Sequence, residues 1–225
     1  WKPIKKRKNN KPSNKDLEHF QALILNFYKE NKRLFPWRTN ITPYTIVVSE
    51  IMLQQTQTHR VYNKYLEFLN VFPNFKTLAN APFPKVLQQW QGLGYNRRGR
   101  YLHEIAKKIV HEYNGIVPDQ PEILETFPGI GKATSCSIAT FIYNKPTIFI
   151  ETNIRSVFIH CFFHEKENIH DNDIFELIKK TVDPQEPREW YYALMDYGVM
   201  LKKTYGNPNR KSKHYIKQSA FEGSD

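Results

Sequence analysis

The sequence predicts an all-α protein, and three observations carry that reading. Leu17, Phe20, Leu23, Ile24, Phe27 and Tyr28 recur at three- and four-residue steps, the spacing of a single helix face. Thr42-Pro43 is helix-start chemistry, an N-cap hydroxyl followed by a proline whose fixed φ suits the first turn. Phe127-Pro128-Gly129-Ile130-Gly131 then reads as a tight turn joining two helices. A chain of 225 residues with 40% hydrophobic and 14% aromatic content can bury one domain or two small ones and is not disordered.

Residues 1–16 set Lys2, Lys5, Lys6, Arg7, Lys8, Lys11 and Lys15 among Asn, Ser and Pro. They predict a flexible basic arm, either a solvated tail or a non-specific DNA contact. The first helix runs from Leu17 to near Asn31, and Phe35-Pro36-Trp37-Arg38 follows as an extended link. From Pro43 a second helix turns Ile46, Val47, Ile51 and Leu53 to the core, which leaves Glu50 in apolar company. Desolvation raises a carboxyl pKa and suits it to donate a proton near neutral pH. Gln54, Gln55 and Gln57 come next; their amides can bond base edges or fill a gap in a base stack. The alternative is a salt-bridged Glu50 beside a solvated glutamine face.

Gly92 and Gly94 flank Leu93 in a backbone-exposing turn, and Tyr95 is a flat aromatic able to wedge into stacked bases. Arg97, Arg98 and Arg100 open the next helix, as phosphate contacts or as a solvated face; Leu102, Ile105, Ala106, Ile109 and Val110 are its core side. At the hairpin, Pro128 stops one helix, Gly129 and Gly131 supply φ > 0, and Lys132 begins another. Amides at a helix N-terminus suit a phosphate and hold a nucleic-acid backbone without reading its sequence. About twenty residues on, Glu151 stands at the mouth of a further helix, with Asn153 and the phosphate candidate Arg155. Residues 172–182 and 188–203 are the closing helices, and a basic segment follows to Lys213.

The formal charge of +11 favours a polyanionic partner. Two cysteines, Cys136 and Cys161, exclude a zinc knuckle or a four-cysteine cluster built from this chain alone, and read as small buried side chains. No apolar run reaches the roughly 18 residues of a membrane span, and no signal peptide is visible. The expectation is a soluble protein of a reduced compartment, cytoplasmic or nucleoid-associated. The abrupt ends at Trp1 and Asp225 predict a trimmed chain.

The stretch Thr126–Val157 resembles the helix-hairpin-helix (HhH-GPD) DNA glycosylases, with their hairpin followed by a catalytic carboxylate. Trp37-Arg38, Thr42-Pro43-Tyr44 and Ser49-Glu50-Ile51-Met52-Leu53-Gln54-Gln55-Thr56-Gln57 look like the adenine-specific, MutY-type branch. The similarity continues through Val61–Tyr65, Leu78–Ala81 and Trp90–Tyr95, and covers about residues 17–200. It implies two helical lobes, 37–145 and 17–36 plus 146–225, with the DNA and the active site between them. It assigns Glu50 to protonate the base and Gln54 or Gln55 to enter the DNA stack. Gly129, Gly131 and Lys132 become the phosphate hairpin, Glu151 the carboxylate that stabilises the sugar cation, and Asn153 its orienting or DNA-contacting neighbour.

The departures are equally specific. Glu151 replaces the family's Asp and is one methylene longer. Asn96 stands where a second Tyr is usual. Relatives of the endonuclease III type carry a Schiff-base Lys at the position of Ala133; Lys132 is one step off, about 100° around a helix, so no imine β-lyase is expected. The four cluster cysteines are replaced by the basic segment, so no iron–sulfur cluster is expected, while a monovalent cation at the hairpin is compatible. Nothing matches the separate C-terminal domain of many MutY proteins. The implied function is a monofunctional glycosylase that acts as a monomer on double-stranded DNA holding a mismatch or damaged base. It would hydrolyse a mispaired purine, adenine opposite G or 8-oxoguanine. Three alternatives stay open: a thymine/uracil glycosylase for mismatches with G, a glycosylase for another damaged purine, and a non-catalytic DNA-binding homologue.

Overall fold

Side-chain caps set several helix boundaries in the computed structural model, which describes residues 12–216. Ser13 and Asp16 close a reciprocal capping box, so α1 (Asn14–Asn31) begins three residues earlier than the apolar period suggests. The expected basic arm therefore loses residues 14–16 to this helix, and its residues 1–11 lie outside the described residues. After α1 come α2 (Pro36–Thr39), α3 (Pro43–Leu53), α4 (Thr58–Val71), α5 (Phe75–Ala79) and α6 (Phe83–Trp90). Next are α7 (Arg97–Glu112), α8 (Pro121–Leu124), α9 (Lys132–Tyr143) and α10 (Thr152–Phe162). The last helices are α11 (Asp171–Thr181) and α12 (Pro187–Tyr205), followed by a 3₁₀ turn at Pro208–Lys211.

The all-α expectation holds. Among the described residues no strand forms, and the single ladder contact is a parallel bridge between Ile169 and Ser212. The segment Phe35–Arg38 is not extended as expected. Pro36 opens α2, where its ring pre-sets the helical φ and its missing N–H costs nothing.

The chain divides into two compact units. One, Leu34–Tyr143, is organised on α3, which packs against α4, α7 and α9. Val48, Met52, Phe68, Trp90, Leu102, Ile105, Ile109 and Ile138 fill its core. Thr42 caps α3 through its side chain to the Thr45 amide, with Pro43 in the first turn, as the sequence predicts. Val110 is only partly buried, at the edge of the core face of α7.

The other unit takes its described residues from 12–33 and 144–216. It is organised on α10 and α12, with α1 and α11 packed around them. The Phe20 ring of α1 stands 5.2 Å from Phe158, 4.9 Å from Phe162 and 5.8 Å from Trp190, so three helices share one aromatic cluster. Asp196, almost fully buried on α12, accepts from the Arg33 backbone at 2.9 Å and the Arg33 guanidinium at 2.6 Å. This ties the end of α1 to the middle of α12.

Candidate active site and nucleic-acid interface

Every residue of α3 from Tyr44 to Met52 is buried except Glu50, which is half-buried. Its carboxylate is met from the neighbouring helix by the hydroxyl of Ser137, which donates to Glu50 Oε2. Leu53, expected in the core, is only partly buried, because α3 ends there and the chain turns outward. Gln54 follows, and its Nε2 donates to the Gly129 carbonyl at 3.1 Å and to Thr134 Oγ1 at 3.2 Å. That amide is engaged by the hairpin. Gln55 is exposed and takes a left-handed backbone with φ of 55°, which projects it from the end of the helix.

The turn before α7 is formed by Gly92 and Gly94 with positive φ, and by Tyr95 with φ of 47°. The Tyr95 ring is 42% exposed, and its inner face lies 5.6 Å from the Arg98 guanidinium. Arg97 is exposed on the first turn of α7, free of helix packing as a phosphate contact requires.

Arg98 does not meet that expectation. It is only 5% exposed. One terminal nitrogen donates to the carbonyls of Ile51, Met52 and Gln54 at 3.0, 2.9 and 2.6 Å. The other donates to Thr56 Oγ1 at 2.8 Å and to the Leu93 and Gly94 carbonyls at 3.2 Å. The guanidinium thus caps the C-terminal carbonyls of α3, where a cation complements the helix dipole. It also stitches them to the Leu93–Gly94 turn. Burial pushes its pKa down to about 10, with Tyr95 opposing and Arg60 assisting, so it stays charged at neutral pH. An arginine is suited to this place because its planar fork serves many acceptors at once.

In the hairpin, α8 stops at Leu124, four residues before Pro128, so the proline sits in the turn and does not end the helix. Gly129 has φ of 72°, and a Cβ there would lie 2.4 Å from the Tyr101 ring; conformation and space both demand glycine. Gly131 corrects the expectation: its φ is not positive, and a Cβ would meet nothing within 4 Å. Among the described residues nothing requires glycine at 131. Lys132 is exposed at the start of α9, where the first amides have no partner within the helix.

Glu151 is the N-cap of α10. Its Oε1 accepts from the amides of Asn153 at 2.7 Å and Ile154 at 2.8 Å, and its Oε2 from Asn153 Nδ2 at 3.1 Å. The extra methylene relative to Asp is taken up by this fold-back onto the helix. Asn153 is oriented in turn, because Lys202 Nζ of α12 donates to its Oδ1 at 2.9 Å. Burial pushes the Lys202 ammonium below the ordinary lysine value, against the pull of the Glu151 carboxylate and with Arg155 adding to the depression. The close approach of α12 depends on Gly198: a Cβ there would lie 2.5 Å from the Asn153 carbonyl oxygen.

Arg155 also departs from expectation. Its Nε and a terminal nitrogen hold the two oxygens of Asp171 at 2.8 and 2.7 Å, a two-pronged pair that joins α10 to α11 and occupies the guanidinium. Part of the basic segment is committed as well. Buried Asn209 donates to the Thr152 carbonyl at 2.9 Å and to Ser156 Oγ at 2.5 Å. Lys211 donates to the His164 carbonyl at 2.7 Å. Lys203, Arg210 and Lys213 remain exposed.

Sequence reasoning missed Ser137 and Lys202. Ser137 left a faint signal, a hydroxyl on the buried side of a small-residue helix. Lys202 left another, a charge one turn beyond Gly198 on the face that packs on α10. Two cysteines, both buried, cannot supply the four thiolates of an iron–sulfur cluster. Among the described residues no group of three or more His, Cys, Asp or Glu side chains converges as metal ligands would. No helix among them is long and apolar enough to cross a membrane.

The chain is similar to known proteins in sequence and in fold. The adenine DNA glycosylase of Buchnera aphidicola (Baizongia pistaciae) is 35% identical over 187 residues, covering 81% of this chain and 52% of the relative. The chain thus spans about half the length of that relative. The thymine/uracil-DNA glycosylase of Methanothermobacter thermautotrophicus is 27% identical over 192 residues, covering 84% of this chain and 87% of the relative. A solved thermostable thymine-DNA glycosylase superposes with a TM-score of 0.77 at 26% identity, covering 88% of this chain and 93% of that one. The profile of the HhH-GPD superfamily base excision DNA repair proteins matches residues 48–184, the stretch that holds Glu50, the hairpin and Glu151, and the chain belongs to that superfamily.

Proposed function

We propose that this chain is a monofunctional DNA glycosylase that hydrolyses the N-glycosidic bond of a mispaired purine, most specifically adenine opposite G or 8-oxoguanine. The observation that carries the reading is Glu50: a carboxylate on an otherwise buried helix, beside glutamines, held by a hydroxyl donor from the hairpin helix. The flipped base costs a few kcal/mol to extrude, least when it is mispaired. Glu50 gives a proton to the purine and weakens its bond to the sugar. Glu151, oriented by Asn153, stabilises the positive charge that develops on the sugar, after the two-carboxylate logic of glycosidases. Water completes the hydrolysis and leaves an abasic site. Ala133 offers no amine at the Schiff-base position, so the strand is not nicked by an imine.

The same reading gives Tyr95 and Gln55 the task of holding the duplex open, and the hairpin amides with Lys132 and Arg97 the task of holding phosphate. Gly131 supports it: a glycine with no internal need for one suits a surface that another molecule's backbone must approach. Gly131→Ala is expected to leave the melting temperature unchanged and weaken duplex binding, whereas Gly129→Ala lowers both. Normal binding by Gly131→Ala would remove the hairpin from the interface. Binding should also fall steeply with salt, since phosphate contacts dominate affinity.

A second reading is favoured by one observation, the thymine/uracil-DNA glycosylase matched over 87% of its own length. The deciding experiment is single-turnover base release on labelled duplexes carrying A opposite G, C or 8-oxoguanine, T or U opposite G, and hypoxanthine, with and without alkali. Adenine release that needs alkali for strand cleavage supports the purine reading. Release of T or U alone replaces it with the second. Binding without release anywhere leaves a DNA-binding homologue.

A further inference from the structure

Ser137 is the residue of this site that the proposed chemistry leaves without a task. It lies on the buried side of α9, 4% exposed, where α9 packs along α3. Its Oγ is placed against Glu50 Oε2 and, at the same time, 3.0 Å from the Thr134 carbonyl one turn back on its own helix. A serine hydroxyl has one proton and two lone pairs. It therefore cannot donate to both oxygens at once, and the two acceptors define two arrangements of one fixed set of heavy atoms.

With Glu50 ionised, the hydroxyl donates to Oε2. With Glu50 protonated, the carboxyl O–H donates to Ser137 Oγ, and the hydroxyl turns its own proton to the Thr134 carbonyl. Both arrangements are satisfied, and neither requires the carboxyl group to move. A lysine or arginine in this place could only donate and would favour the carboxylate; a carbonyl could only accept and would favour the acid. A hydroxyl with a second acceptor behind it serves both.

We propose that Ser137 is a positioning residue for Glu50, a two-way hydrogen-bond partner that holds the carboxyl group in one place on both sides of the proton transfer. The proposal rests on the reading of Glu50 as the acid that protonates a purine. In that step the carboxyl O–H turns from Ser137 Oγ to a ring nitrogen of the base, the proton passes to that nitrogen as the O–H bond breaks, and the oxygen keeps the electron pair and the negative charge. The Ser137 proton stays on Oγ throughout; it only rotates, from the Thr134 carbonyl to Oε2, as the charge appears. The Ser137 oxygen is in place before the reaction, so a hydroxyl rotation, and no movement of heavy atoms, accompanies the appearance of the charge. Ser137 touches no substrate atom in this scheme and acts through Glu50 alone.

The test is single-turnover base release from a duplex carrying adenine opposite 8-oxoguanine, measured for the full chain and for Ser137→Ala, Ser137→Thr and Glu50→Gln, together with duplex affinity and melting temperature. Ser137→Ala is expected to slow release by about 10- to 100-fold, the range lost when a catalytic group is misplaced by up to an ångström. Affinity and melting temperature should stay near those of the parent. Ser137→Thr keeps the hydroxyl and should restore most of the rate. Parent-like release by Ser137→Ala, while Glu50→Gln is inactive, would overturn the proposal and leave the role of Glu50 standing. So would a loss in Ser137→Ala that tracks melting temperature and affinity and that Thr does not rescue, since that is packing. Full release by Glu50→Gln, or none by the parent chain, would overturn the acid reading itself and the proposal with it.

Discussion

Glu50 and Glu151 are both half-buried carboxylates, yet they are held by opposite means. Glu50 sits within a helix, and its hydroxyl donor arrives from a residue 87 positions away on another helix. Glu151 sits at the start of a helix and is held mainly by that helix, through two backbone amides and the side chain of Asn153. A group held by amides keeps its place whatever side chains surround it. One held by a distant hydroxyl depends on packing between helices to deliver that hydroxyl. The proposed proton donor is thus the more easily disturbed of the two, and the proposed electrostatic stabiliser the more robust.

The largest effect tests which carboxylate does what. Glu50→Gln should cut adenine release by about 10²- to 10⁴-fold, the usual contribution of a general acid, and leave duplex affinity intact. Release of T or U unaffected by that change would assign the chain to pyrimidines. Glu151→Gln keeps the capping geometry and removes the charge. A loss of about 10²- to 10³-fold is expected in single-turnover release, comparable to removing one preorganised electrostatic partner. Parent-like rates in this variant would mean that Glu151 is a cap and nothing more.

Next come the supports. Arg98→Met strands six neutral acceptors at the end of the Glu50 helix and in the Leu93–Gly94 turn, and leaving a buried acceptor unpaired costs about 1–3 kcal/mol. Thermal unfolding should register it as a drop of several degrees, with Arg98→Lys falling in between. A stable Arg98→Met that instead binds DNA more weakly would restore Arg98 to the interface. The smallest effect belongs to the Glu151 side. Burial alone would raise the Asp171 carboxyl, but the Arg155 guanidinium outweighs it and holds the pKa below the ordinary value, with His214 and His170 assisting. The stabilisation is therefore complete above the unfolded-state carboxyl pKa and drains away as pH falls through the folded one. Asp171→Asn should cost about 1 kcal/mol at neutral pH, and its melting curve should converge with the parent's in acid. A constant gap at all pH values would show that packing, and not charge, makes the contact.

What could be read from the sequence was local. The Thr42 cap and the start of α3, the core face of α7 and the position of Glu151 at a helix mouth all follow from neighbouring residues. Two boundaries were equally local and were misplaced: Ser13 and Asp16 spell a capping box, and Pro36 suits a first helical turn. The misread arginines are a different matter. Arg98 and Arg155 open or follow helix starts just as phosphate-binding arginines do. Only the folded chain brings the Ile51 and Met52 carbonyls to one and Asp171 to the other. The same holds for Ser137 and Lys202, whose partners are remote in sequence. Residue type announced the chemistry, and long-range packing decided which groups were already occupied.

The guanidinium of Arg98 gathers acceptors from residues 51–56 and 93–94, two stretches that have no covalent reason to move together. Their backbone amides should consequently exchange with solvent as a single cooperative unit, opening at one common free energy. The segment presenting Gln55 and the segment presenting Tyr95 should then open together, and under the proposed function a chain scanning duplex DNA would bring both to the base stack in the same event.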